Sequence, residues 1–316
     1  SFSSISLRNF KPRLQLSYNN YFYYNNNLPN LENHNGLYFP KGIGSIYSLL
    51  MNYKGKYLIV TAEPFILDSR KYSESHHYDQ SAFSVLNNVP LDSKYRINSN
   101  KIRNAGLIFY YSGLSLGYGN WDQWWGPGIH NSLVMSNNAE GISHYFVGTL
   151  DYMPVVGDLE YYYKYMVSDA MYNNANVEYF LSAYFFNLRY KNIELGASRH
   201  ILNGGHSDLS WSLNDAMNVL FTKKNMKYWD EIIDYYISVI FPSSGLKVFL
   251  EIGYPNHSLD GKDPEVYYNN TMGSNLGLRK YGAFGYDELM FGFEYTRLVQ
   301  GIYYNILPTP NWYDNI

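Results

Sequence analysis

No cysteine occurs anywhere in the 316 residues, which excludes disulfide frameworks and cysteine-based metal sites. Charged residues make up only 16% of the chain, against about 25% in ordinary soluble domains. The net charge of −3 leaves no basic field, so nucleic acid is not an expected partner. No apolar run approaches the ~20 residues that a spanning helix needs, and the mean hydropathy is −0.34. No G-x-S-x-G nucleophile elbow, H-E-x-x-H pair or glycine-rich phosphate loop is expected, so the chain is not expected to be an enzyme. His76-His77 with Glu74 and Asp79 lack ligand spacing, because adjacent histidines point apart on a strand. Asp260-Gly261-Lys262-Asp263 lacks the ligand run of a calcium site and reads as a turn. Neither a metal nor a cofactor is expected. If a membrane is involved, strands must cross it.

What the chain has in abundance is aromatic residues, at 19%, with 36 tyrosines. Tyrosine joins an apolar ring to a polar tip, which suits a membrane–water interface or a sugar-facing surface. The hydrophobic pattern repeats every second residue, the mark of a strand. From Val156 to Met166, Asp158, Glu160, Tyr162 and Lys164 oppose Leu159, Tyr161, Tyr163 and Tyr165. The same alternation returns in Arg13–Tyr24, Glu178–Tyr190, Ile233–Phe241, Leu246–Ile252 and Leu289–Arg297. A soluble sandwich also alternates, so the connections decide between the two architectures.

Those connections sort into two classes. Short ones fall at Lys54-Gly55, Ser112-Gly113, Met153–Val155, Lys191-Asn192, Pro242–Gly245 and Gly282–Gly285. Long ones span Asn25–Gly44, Asp68–Asn104, Trp121–Gly141, Val167–Val177, Ile201–Asp230 and Pro255–Ser274. The two classes alternate along the chain, as tight periplasmic turns and long extracellular loops do in a transmembrane barrel. Closure would pair every strand edge, which lipid demands. The expected fold is therefore all-β: a transmembrane antiparallel up-and-down β-barrel of about 14 to 18 strands. Residues 1–316 would form this single domain, in the bacterial outer membrane. Gln80–Leu86 with Lys94–Ile102, Ser132–Ser136 and Ile302–Ile306 are weaker strand candidates. One short helix is expected in an outer loop, capped near Leu213-Asn214-Asp215, with Ala216, Met217, Leu220 and Phe221 at helical spacing. It reads as a lid on the barrel mouth.

The most distinctive stretch is NWDQWWGPGIHNSLVMSNNA, from Asn120 to Ala139. Proline fixes φ and glycine permits φ > 0, so Gly126, Pro127 and Gly128 make a sharp bend beside two large rings. The run Trp124-Trp125-Gly126-Pro127-Gly128, followed by Ser132-Leu133 and Ser136-Asn137-Asn138-Ala139, resembles the signature of the capsule-assembly Wzi family. That resemblance implies a monomeric barrel of roughly eighteen strands, its lumen filled by side chains and loops. It also implies a non-catalytic role in organising capsular polysaccharide at the cell surface. The family's periplasmic helical segment before the barrel is not expected here, since strand-like sequence starts near Arg13.

Two roles suit this stretch. Tryptophans stack on sugar rings while polar side chains bond hydroxyls, which makes Trp121, Asp122, Gln123, Trp124, Trp125, His130 and Asn131 a candidate glycan platform. Alternatively the tryptophan pair folds inward and fills the lumen. The expected partners are surface polysaccharide, outer-membrane lipids, lipopolysaccharide and other envelope proteins. Two functions compete with polysaccharide binding. One is a pore lined by Arg13, Lys164, Lys247, Asp158, Glu160 and Glu251, and the other is a structural subunit of an envelope complex.

Overall fold

Alternation over runs of nine to thirteen residues leaves the backbone one economical solution, a set of long strands paired edge to edge. The computed structural model describes residues 12–26, 37, 39, 42–69, 85–86, 89–90, 100–137, 141–172, 177–205, 210–218, 229–255 and 272–298. Fifteen strands are hydrogen-bonded in an antiparallel sheet, with a further pair, β4 (Val85–Leu86) and β5 (Val89–Pro90), set apart. Fifteen lies within the expected range.

The chain forms two compact units. The first comprises Ser1–Tyr111, Leu116–Gln123 and Asn137–Ser143. It carries β1 (Arg13–Asn25), β2 (Gly42–Lys54), β3 (Leu58–Ser69) and β6 (Asn100–Tyr111), hydrogen-bonded in that order, and most of β7 (Leu114–Gly119). The second comprises Ser112–Ser115, Trp124–Ser136 and His144–Ile316. Its strands are β8 (His144–Thr149), β9 (Met153–Val156), β10 (Leu159–Ser168), β11 (Met171–Tyr172), β12 (Glu178–Tyr190) and β13 (Ile193–Gly204). They continue with β14 (Trp229–Phe241), β15 (Leu246–Pro255), β16 (Gly273–Tyr281) and β17 (Met290–Leu298). The order is β8-β10-β12-β13-β14-β15-β16-β17, with β9 on β10 and β11 on β12.

Each face of these strands has its own chemistry, and the usual arrangement of a soluble protein is reversed. On β16, Asn275, Gly277 and Arg279 are buried while Leu276 is 47% exposed. On β17, Phe291, Phe293 and Tyr295 are exposed, with Glu294 and Thr296 opposite. Buried side chains include Glu63, Arg103, Lys164, Asn187, Asp234 and Glu251, whereas Leu, Ile, Phe and Tyr dominate the exposed ones. Water would penalise such a surface, at about 25 cal/mol per Å² of apolar area; hydrocarbon would not.

Several expectations shift by a few residues. Met153–Val155 was expected as a short connection but belongs to strand β9, because Pro154 reads as a turn signal. The tight turn is Gly157-Asp158, where Gly157 has φ +56 and Leu159 faces Val156. Asp158 is thus an exposed turn residue 3.8 Å from Lys191 Nζ, not a wall residue. The earlier break at Leu150–Tyr152 arises because four residues, 149–152, oppose only Tyr162 and Tyr163 between the pairs Gly148–Lys164 and Met153–Tyr161. Ser112-Gly113 and Lys191-Asn192 do make two-residue turns, with Ser112 and Lys191 at positive φ. Ser132–Ser136 forms bends instead of a strand. Val85–Leu86 pairs with Val89–Pro90, while Ile102 belongs to β6. The candidates Ile302–Ile306, His76-His77 with Glu74 and Asp79, and Asp260–Asp263 lie outside the described residues.

The expected helix is present as α1 (Leu213–Asn218), in the connection between β13 and β14. Its cap is Ser212, one residue before the expected start: Ser212 Oγ donates to Asp215 Oδ2 at 2.7 Å and accepts from the Asp215 N–H. This reciprocal pairing satisfies donors that a helix start leaves open. The segment is not a lid. Trp211 and Ala216 pack with Val167, Phe180 and Ile201 on the apolar face, at the long-loop ends of β10, β12 and β13. Ser182 Oγ donates to the Ala216 carbonyl at 2.8 Å and Tyr165 Oη to the Met217 carbonyl at 2.7 Å.

Leu276→Arg on the exposed face should lower folding stability in phospholipid vesicles by about 2–4 kcal/mol, the cost of a cation at mid-bilayer on a strand. Urea titration of vesicle-inserted protein measures this. A change under about 0.5 kcal/mol, as for ordinary surface positions, would show that water bathes this face.

Candidate functional site: the tryptophan-rich loop

Gly126 and Gly128, on either side of Pro127, lack the atoms that would keep the loop off the sheet. In the second unit, a Cβ added at Gly126 would stand 2.7 Å from Glu251 Oε1 and 2.8 Å from Ser132 Oγ. One added at Gly128 would meet the Asn131 carbonyl and stand 2.8 Å from Asn275 Nδ2. The glycines therefore serve close approach to the polar face; neither has the positive φ expected of a glycine bend.

Carboxylates on β15 and β17 hold the loop there. Glu294 accepts three successive backbone N–H groups, from Ile129 at 2.7 Å, His130 at 3.0 Å and Asn131 at 3.3 Å. Glu251 Oε1 accepts the Leu133 N–H at 3.0 Å. Asn275 Nδ2 bridges the Asn131 carbonyl, at 3.0 Å, and Glu251 Oε2, at 3.3 Å. Arg279 Nη2 donates to the Pro127 carbonyl at 2.9 Å and to Glu294 Oε1 at 3.3 Å. Bonds to an ionised partner are worth about 1.5–3 kcal/mol.

Trp125 is 3% exposed. Its indole stacks on Phe185, centroids 5.4 Å apart and planes 23° apart, and lies 5.1 Å from the His200 ring. Trp124 is half-buried, and its Nε1 donates to the Gly128 carbonyl at 2.9 Å. His130 and Asn131 are exposed. A sugar could reach His130, Asn131 and part of Trp124; Trp125 is covered.

The other candidates belong to the first unit. Trp121 Nε1 donates to Thr61 Oγ1 at 2.6 Å, and its ring lies over Gly106 and Gly119, where a Cβ would collide with it. Gln123 Nε2 donates to the Trp121 and Asp122 carbonyls at 3.1 and 3.2 Å, and Asp122 and Gln123 are half-buried. Nearby in that unit, Glu63 accepts from Ser48, Arg103 and Asn104 at 2.8–2.9 Å. The seven candidates thus divide as Trp121, Asp122 and Gln123 in one unit and Trp124, Trp125, His130 and Asn131 in the other.

Sequence reasoning placed Glu251 among wall residues but missed its partner Glu294 as the loop's main anchor. Its one visible sign is a lone acid at alternate spacing in the aromatic run Phe291–Tyr295. One serine motif bears on catalysis: Gly113-Leu114-Ser115-Leu116-Gly117 spells G-x-S-x-G. A nucleophile elbow needs a strand-to-helix turn with an exposed hydroxyl. Ser115 instead lies inside β7, is buried, and donates to the Gly148 carbonyl at 3.3 Å. Among the described residues, no group of three or more His, Asp or Glu residues could hold a metal ion.

No protein-family model and no curated protein matches this chain. Among solved structures, it is similar to Wzi of Escherichia coli, described as an outer-membrane carbohydrate-binding β-barrel involved in group 1 capsule assembly. The identity is 14% and the TM-score 0.59, covering 92% of this chain and 58% of that one. The chain therefore spans less than two thirds of the Wzi structure. A weaker likeness is to OccD3 (OpdP) of Pseudomonas aeruginosa, with 11% identity, TM-score 0.39 and coverage of 89% and 71%. OprD of the same organism follows at 9%, 0.31, 92% and 89%. The Wzi likeness shows the fold, which is that of bacterial outer-membrane β-barrel proteins, and the exposed apolar face suits that membrane.

Glu294→Ala should release the loop. The amides of Ile129, His130 and Asn131 should exchange hydrogen at least about tenfold faster, corresponding to about 1.4 kcal/mol. Exchange read by mass spectrometry on peptides covering 124–136 tests this, and unchanged protection would mean that Glu294 is not the anchor.

Proposed function

We propose that this chain spans the bacterial outer membrane as a single closed β-barrel and binds or organises surface polysaccharide, without catalysis. The observation that carries this reading is the carboxylate-anchored loop. It occupies the polar face with Trp125 and leaves His130, Asn131 and the edge of Trp124 reachable. Such contacts are individually weak, and repetition along a polymer and over many barrels makes them effective. The WWGPG resemblance and the Wzi-like fold support the same reading. Lipids and lipopolysaccharide would cover the apolar face, and capsular or exported polysaccharide would meet the long loops.

A small-solute pore is the second reading. It is favoured by Glu160, Arg189 and Lys247, which stay half-exposed on the polar face.

Single-channel recording in planar bilayers, with and without extracted surface polysaccharide, separates the two. A silent barrel is expected, and Trp124→Ala with His130→Ala should reduce polysaccharide retained on cells at least about tenfold, or about 1.4 kcal/mol. Steady open conductance would sink the reading and recast the loop as a constriction.

A further inference from the structure

The short-turn ends of β10, β12 and β13 carry a second cluster on the polar face, which adjoins the tryptophan-rich loop through Phe185, the ring on which Trp125 stacks. The Tyr152 and Tyr162 rings lie 5.8 Å apart, and Tyr162 meets Phe185 at 5.9 Å. Arg189 lies over the Tyr152 ring, its Cζ 3.8 Å from the centroid. The same guanidinium donates from Nε and Nη2 to Glu160 Oε2, at 2.8 and 2.6 Å. Beside it, Glu194 Oε1 accepts from Tyr152 Oη at 3.2 Å, Asn187 Nδ2 at 2.7 Å and Tyr236 Oη at 2.7 Å. Asn187 and Tyr236 also bond to each other.

A purely structural cluster would be sealed, but this one is not. Tyr152, Tyr162 and Glu194 are half-buried, and the side chains of Arg189 and Glu160 are 39% and 35% exposed. These adjoining residues therefore each keep part of their surface accessible. We infer that Tyr152, Tyr162, Glu160, Arg189 and Glu194 form a saccharide site at the short-turn end of the polar face, selective for an uncharged oligosaccharide. Tyrosine rings present flat apolar surface to a sugar's C–H face. A carboxylate accepts from hydroxyls and a guanidinium donates to them. Charge decides the class of sugar. Arg189 is matched by Glu160 and Lys191 by Asp158, Glu194 faces the charge of Lys247, and Asp151 lies close enough to act on Tyr162, so the cluster carries no net positive charge. The site thus offers a polyanionic chain no attraction, while a neutral one loses nothing. Rigid rings already held by Arg189 and Glu194 also reduce the ordering cost of binding.

The site adjoins, through Phe185, the loop proposed to hold surface polysaccharide, and each is tested by its own variants and its own readout. The loop is tested by retention on cells, this site by titration of purified full-length protein in detergent. Maltohexaose, cellohexaose and mannohexaose are the neutral probes, with hexagalacturonate as the acidic one, followed by calorimetry. At least one neutral probe should bind, and hexagalacturonate at least tenfold more weakly. Tyr162→Ala and, separately, Arg189→Gln should each weaken the neutral sugar at least tenfold, with strand content by circular dichroism unchanged. Tyr162→Phe should retain binding, because the ring and not the hydroxyl is the platform. Binding by none of the neutral probes, preference for the acidic one, or undiminished binding in a folded Arg189→Gln protein would each overturn the assignment.

Discussion

Polar side chains cannot be left unpaired once the exposed face is given to hydrocarbon, and this constraint orders the rest of the structure. On β15, β16 and β17 the side chains of Glu251, Asn275, Arg279 and Glu294 fall on one side, where water is partly excluded and bonds to charged partners are strong. Glu63 with Arg103 in one unit, and Glu294 with Arg279 in the other, answer that demand with buried ion pairs. The tryptophan-rich loop answers it as well. Its backbone N–H groups are the donors that Glu294 and Glu251 take up, so the loop completes the polar face.

The same constraint governs α1 and its flanks. At the long-loop ends of β12–β14 the outward face is no longer purely apolar, since Ser182 and the Arg199–Glu231 pair lie there. Trp211 and Ala216 pack beside Ser182 on Val167, Phe180 and Ile201, and the helix-end carbonyls accept from Ser182 and Tyr165. A stretch that reads as a lid by its position in the chain therefore works as a collar on the outside of the strands.

Strands were the most legible part of the sequence, because period-two alternation survives any choice of loop. β12 runs from Glu178 to Tyr190 in sequence and structure alike, and β14, β15 and β17 differ only at their ends. The exceptions have local causes. Pro154 imitates a turn although it occupies a strand, and the two extra residues in 149–152 break β8 from β9 without any sequence mark. The Trp-rich stretch was legible as a bend with large rings. Its anchors were not, because Glu294 lies 165 positions from Ile129 and alternation says only which face it occupies. The division of that stretch between two units likewise depends on distant partners, Thr61 for Trp121 and Phe185 for Trp125, that no local pattern encodes.

The distance between Ile129 and Glu294 has a consequence for the order of assembly. A contact between residues so far apart can form only after nearly the whole chain has been collected, which makes it entropically late. β17 must be registered on β16 before Glu294 can receive the Ile129, His130 and Asn131 amides. Until then the loop is held by Glu251, Asn275 and Arg279 without its three amide bonds to β17. The bonds from Ile129, His130 and Asn131 to Glu294 are thus late contacts, and protection of those amides would mark the arrival of β17.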